Sequence, residues 1–268
     1  VAGAGLSIYT EEQWSSAAWW SRRVAVLAGF VGVIAVAAHR FGLIETAPFL
    51  WVLVVVGALP LAALLLAAAG FQRIWHFGDR GGVDLAVGLL LAVLVLAPYG
   101  VAGWFAFSRP ALADVSTDVD DPPLLTAAAT FRTVDMNPLT VPTPEIRAIQ
   151  LKAYPELTGR RYSISFEQTV SEVETIMEAR GWKILSPLSS GNGIETTIEG
   201  LASLPMLALG YDVAVRITDE GNAIYVDMRS ASRYGGRDMG VNAAYISGFL
   251  KDLDARANGL ALPALTAQ

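Results

Sequence analysis

The chain has 268 residues, no cysteine and a formal net charge of −6; 53% of it is hydrophobic and only 16% charged, where a soluble globular chain carries about 25% charged residues. Without cysteine there can be no disulfide, thiolate zinc site, iron–sulfur cluster or cysteine nucleophile. The charge is uneven: residues 1–110 hold six basic and five acidic side chains, while residues 111–268 hold thirteen and twenty, a net −7. The chain therefore reads as two parts, an apolar one and a normally charged one of 158 residues that can bury its own core. The acidic balance of the second part argues against a nucleic-acid partner.

In chain order, Thr10-Glu11-Glu12-Gln13 has the form of a capping box. Trp14, Trp19 and Trp20 follow, and tryptophan favours the lipid headgroup zone. An interfacial helix leading into the membrane is expected there. Three apolar stretches then predict transmembrane helices over about 24–44, 49–71 and 83–107, separated by short loops. Pro60 and Pro98 lie inside the second and third, where membrane helices tolerate proline. Arg22-Arg23 before an apolar run ending at Ala37-Ala38 also fits a secretion signal, but the two longer spans that follow favour a helical bundle.

Arginine placement gives a direction. Arg22 and Arg23 flank the first span and Arg73 and Arg80 lie between the second and third, against Arg40 alone between the first and second. Basic residues stay on the cytoplasmic side. The expected topology is therefore a cytoplasmic N-terminus and a C-terminal domain, residues 111–268, in the periplasm, with the spans in a bacterial inner membrane. Gly29 and Gly32 allow close packing against another helix.

The acidic run Asp114–Asp121 has oxygen ligands at the first, third and fifth positions of a calcium loop. It has Val119 where that loop needs glycine and Leu125 where it needs glutamate. It reads as a solvated turn before Pro122-Pro123. Residues 124–160 read as irregular with one short helix near Glu145–Ala153. A strand is expected over Arg161–Phe166, then a helix opened by Thr169-Val170-Ser171-Glu172 and closed by Gly181. Strands follow at Trp182–Leu188 and Gly193–Gly200. A hairpin pairs Asp212–Thr218 with Ala223–Ser230 around Asp219-Glu220-Gly221-Asn222. Arg216, Asp227 and Arg229 lie on its polar face, where cross-strand ion pairs are expected. A helix over about Val241–Ala257 ends the domain. The fold class is α+β: a three-helix transmembrane region followed by an antiparallel sheet with helices packed on one face.

The run Asp227-Met228-Arg229-Ser230-Ala231-Ser232-Arg233, continued by Asp238-Met239-Gly240-Val241-Asn242-Ala243, resembles the signature of the domain-of-unknown-function family 1499. So do Asp114-Val115-Ser116-Thr117-Asp118 with Pro122-Pro123, Ala153-Tyr154-Pro155, and Asp212-Val213-Ala214-Val215-Arg216. The resemblance covers about residues 111–255. It implies N-terminal spans, as in many members, and others resemble lumenal proteins of chloroplasts. It implies no catalytic residues.

The soluble half contains no histidine, because the two in the chain are His39 and His76. Serine–histidine catalysis and histidine-ligated zinc are thereby excluded there. No enzyme activity, metal or cofactor is expected. Two readings remain. In the first, the chain is a non-catalytic accessory or assembly subunit of a larger membrane complex, respiratory or photosynthetic, whose partners are the bilayer and other membrane subunits. Its interaction surface would include Trp14, Trp19, Trp20, Gly29, Gly32 and the apolar residues Leu204, Met206 and Leu207. In the second, Arg229, Arg233 and Arg237 with Gly235 and Gly236 bind a lipid headgroup or other anion before the last helix. The competing view of those residues is that Arg229 pairs in the sheet, the glycines turn, and Asp238 or Asn242 caps the helix.

Overall fold

The structure is a computed structural model that describes residues 13–185 and 194–261. The Thr10–Gln13 capping box and the turn at 189–192 therefore fall wholly or mainly outside the described residues. The chain divides into two compact units, Val1–Gly103 and Trp104–Gln268.

The first unit is a bundle of three helices, each long and apolar enough to cross a membrane: α1 (Ser16–Arg40), α2 (Thr46–Phe77) and α3 (Gly82–Ser108). α1 starts eight residues before the expected apolar run, capped by the Ser15 hydroxyl, which accepts from Ala18 N. Its first two turns carry tryptophan and arginine and so look polar, yet they are helical. α2 runs unbroken through Pro60, as does α3 through Pro98. The bundle packs through small residues. Ala25, Ala63 and Ala92, one from each helix, form a buried cluster. A Cβ added at Gly70 would lie 2.8 Å from the Ala18 backbone nitrogen, and one at Gly88 would lie 2.8 Å from that of Arg22. Ser21 Oγ donates to the Ala63 carbonyl at 2.9 Å, and Tyr99 Oη to the Leu53 carbonyl at 2.7 Å. Large side chains such as Val33, Leu65 and Leu90 point outward. With no water to expel, membrane helices associate by such close approach and hydrogen bonding.

The second unit is an antiparallel sheet with helices. Its elements are β1 (Asp114–Ser116), α4 (Thr126–Thr130), α5 (Pro144–Ala153), β2 (Arg160–Tyr162), α6 (Phe166–Ala179), β3 (Lys183–Ile184), β4 (Glu195–Ser203), β5 (Gly210–Asp219), β6 (Ile224–Ser232) and α7 (Val241–Ala261). The strand order is β1-β6-β5-β4-β3, with β2 pairing beside β1 along β6. Alternation sends Ile198, Val213, Val215, Ile217, Val226 and Met228 to one face. There they meet Val173, Ile176 and Met177 of α6 and Ile246, Phe249, Leu250 and Leu253 of α7. Each such buried side chain stabilises the fold by about 1.5–3 kcal/mol. Trp182 stacks on Phe249 with ring centroids 5.6 Å apart.

Three expectations are corrected. The segment Arg161–Phe166 is strand only to Tyr162, because Ser165 begins α6 with its own reciprocal capping box. The Ser165 hydroxyl accepts from Gln168 N, and the Gln168 side chain accepts from Ser165 N. Thr169 is inside the helix, bonded back to the Ser165 carbonyl. The acidic run is not merely a solvated turn: its first three residues are strand β1, with Val115 and Ser116 buried. The apolar stretch 201–209 between the expected strands is a loop only over 204–209, since β4 extends to Ser203 and β5 begins at Gly210.

Candidate interaction surface

The sheet's second face carries charge, yet it is buried. Glu199, Asp212, Asp227 and Arg229 each expose 5% or less. A strap of irregular chain, residues 117–143 with α4 inside it, meets this face through ion pairs and carboxylate caps. Glu199 accepts backbone N–H bonds from Thr126, Ala127 and Ala128 at 2.8–3.0 Å, so it anchors the start of α4. Asp212 is fully buried between two guanidinium groups, 2.8 Å from Arg132 and 2.7 Å from Arg233. Arg132 also donates to the carbonyls of Asn137, Ser232 and Ala231. Arg216 joins its cross-strand partner Asp227 at 2.9 Å to Asp121 of the strap at 2.8 Å. Arg229 pairs with Asp114 at 2.6 Å and donates to the Pro123 carbonyl. Burial pushes the Asp227 carboxyl above the usual carboxylate range, although Arg216 pulls the other way.

This places the arginine–glycine loop. Arg229 and Arg233, two of its three cations, are engaged by the part-buried Asp114 and the buried Asp212. Gly235 turns at φ 84° and its carbonyl accepts from Asn137 Nδ2, while Gly236 stays exposed. Arg237 is exposed and donates to the Ala106 carbonyl. Asp238 caps the start of α7, accepting from Gly240 N at 2.9 Å and Asn242 N at 2.7 Å. Burial raises its pKa as well. Asn242 in turn bonds Ser230 and the Ala113 carbonyl, tying the helix to the sheet. The polar residues that carry the family resemblance thus interlock with one another.

The other expected surface residues separate. Trp14 and Trp20 are exposed and Trp19 is 38% exposed. Gly29 and Gly32 do not face outward alone. A Cβ on Gly32 would meet Val56 of α2 at 3.1 Å and one on Gly29 would meet Val95 of α3 at 3.6 Å, so both lie against this chain's own helices. Leu204 packs on the core at the β4–β5 turn, Leu207 is half-buried and Met206 is exposed.

The surface that sequence missed is α5. Its one buried side chain is polar, and large apolar side chains stand among its exposed ones beside the charged Glu145 and Lys152. The Gln150 carboxamide accepts from Ser116 N at 3.2 Å and donates to the Ser116 carbonyl at 2.6 Å, closing the outer edge of β1 as a neighbouring strand would. Ile146, Ile149 and Leu151 are meanwhile 40–54% exposed. Leu124, Phe131, Val134 and Val141 of the strap are more than half exposed. Seven exposed large apolar residues thus fall within 124–151. The helix itself was visible in the sequence; which side it buries was not, because that depends on a glutamine bonding a strand 34 residues away.

The family described as "Protein of unknown function (DUF1499)" matches residues 114–253. The chain belongs to the DUF1499 family. The match covers both the sheet and the strap, so the ion-pair array and α5 belong to the family portion of this member. No curated protein matches the chain. Among solved structures it is similar to the vertebrate conserved region of human METTL16. That likeness has 16% identity and a TM-score of 0.25, covering 38% of this chain and 84% of that one, and it is too loose to bear on function.

Proposed function

We propose that this DUF1499 member is a non-catalytic accessory or assembly subunit of a larger membrane complex. Its spans sit in a bacterial inner membrane with the N-terminus cytoplasmic, and its α+β domain presents an interaction surface in the periplasm. Helix α5, which buries Gln150 and leaves Ile146, Ile149 and Leu151 exposed, carries the reading. A helix that buries glutamine and exposes Ile146 and Ile149 gains from a second surface that covers them. The apolar residues of the strap widen the patch. The reading as an anion-binding module through the arginine–glycine loop has less support, because a ligand there would compete with Asp114 for Arg229 and with Asp212 for Arg233. The orientation rests on Arg22, Arg23, Arg73 and Arg80 flanking one end of the bundle.

The test is purification of the tagged full chain in mild detergent, with mass spectrometry of what accompanies it. The wild type should carry a defined membrane subunit, and Ile146→Asp with Ile149→Asp should lose it while keeping the wild-type Tm. Recovery of the wild type alone, or equal recovery with the variant, would contradict the proposal.

A further inference from the structure

The start of α1, the end of α2 and the start of α3 share one end of the transmembrane unit. A backbone bridge joins Trp14 to Arg80, with Ser15 N donating to the Arg80 carbonyl and Arg80 N to that of Gln13. At this end a cavity of about 740 Å³ is lined by Trp14, Trp19, Arg22, Arg23, Val26 and Asp84. Its walls differ in chemistry. Arg22 Nη1 is fixed by Asp84 at 3.0 Å. The Arg23 guanidinium lies over the Trp19 ring, with its carbon 3.2 Å from the centroid, and forms no ion pair or hydrogen bond among the described residues. A guanidinium held flat on an indole keeps its N–H donors in its own plane, free to reach past the ring edge. Val26, one turn further into the span, supplies an apolar wall.

Cationic donors at the rim, tryptophan at headgroup depth and an apolar wall toward the hydrocarbon match a phospholipid better than a free ion. Arg22 is matched by Asp84 and Arg73 by Asp79, whereas the Arg23 guanidinium keeps its donors unused among the described residues, which favours an anionic headgroup over a zwitterionic one. We propose that this cavity binds the phosphate headgroup of an anionic phospholipid. Arg23 is the principal donor, Trp19 holds its guanidinium in plane, and Arg22 remains paired with Asp84 as a second positive wall. The site lies wholly within the first unit and does not depend on the partner surface around α5.

Native mass spectrometry of the full chain in detergent tests this, with phosphatidylglycerol and phosphatidylcholine of identical acyl chains as probes. The wild type should prefer phosphatidylglycerol, and Arg23→Gln should weaken that preference about five-fold, the effect of one arginine near a charged headgroup. Arg40→Gln removes the same charge from the other end of α1 and should leave the preference intact. Arg23→Lys keeps the charge without the planar stack and should retain only part of it, which guards against misreading a folding defect in Arg23→Gln. Equal binding of the two lipids, equal effects of Arg23→Gln and Arg40→Gln, or full retention in Arg23→Lys would overturn the proposal. Complete displacement of the lipid by millimolar inorganic phosphate would also overturn it, in favour of a free-phosphate site.

Discussion

The two units solve the same problem, holding polypeptide together, with opposite materials. The bundle uses absence: glycine, alanine and serine let helix backbones approach to contact. The sheet domain uses charge: Arg132, Arg216, Arg229 and Arg233 are matched by Asp114, Asp121, Asp212 and Asp227 on a face that in many antiparallel sheets would be left to water. The difference teaches where each unit is brittle. A bundle built on close approach fails when something is added. A charge array fails when something is removed.

The largest effect should come from removal. Asp212→Asn leaves the largely covered guanidinium groups of Arg132 and Arg233 without their shared, fully buried anion, and breaking a buried pair in this way costs about 3–5 kcal/mol. Denaturant unfolding of the full chain in detergent measures it. A cost below about 1 kcal/mol would mean that the strap does not depend on this pairing. Next comes addition. Gly88→Val should destabilise the bundle by about 1–3 kcal/mol, as overpacking does, because its Cβ meets the Arg22 backbone. Gly100→Ala, on the same helix with nothing within 4 Å, should be neutral or nearly so. Equal effects at the two positions would remove close approach as the principle of the bundle.

A smaller effect is pH-dependent and belongs to the charged unit alone. Burial makes the Asp227 and Asp238 carboxyls weaker acids in the folded than in the unfolded chain. They therefore take up protons first in the folded state. Their contribution to stability grows as pH falls from neutral through their raised pKa values, and it levels off below the ordinary aspartate value. Asp227→Asn should flatten that part of the stability–pH curve, and an unchanged slope would contradict it. The smallest effect is at the exposed pair Arg161–Glu220, bonded at 2.7 and 2.8 Å but open to solvent. Arg161→Ala should barely move the denaturation midpoint, and high salt should remove even that difference.

How much of this was legible in the sequence follows from the range of the forces involved. The three spans announced themselves by composition, and the β5–β6 hairpin by alternation around Gly221, whose φ of +84° suits glycine. The helix ends were harder. The start of α1 carries Trp19, Trp20, Arg22 and Arg23, which break the apolar pattern but not the helix. β1 was hidden because three residues in an acidic run show no periodicity, and only its partner β6 makes it a strand. Of the arginine pairs, Arg216–Asp227 across the hairpin was visible, and those that reach beyond it were not. Asp114 lies 115 residues from Arg229, and Asp212 lies 80 from Arg132 and 21 from Arg233. No local signal spans such separations, so a loop rich in arginine and glycine looked open to an anion when its cations were already engaged. The orientation of α5 was hidden for the same reason, since Gln150 finds its partner in β1.

The most direct test of the partner surface is site-specific photocrosslinking in cells. A photoreactive side chain at Ile149 on α5 is compared with one at Glu178, an exposed residue of α6. A discrete higher-mass adduct is expected from position 149 in the membrane fraction and none from position 178. Adducts of equal yield at both positions, or none at 149, would contradict it.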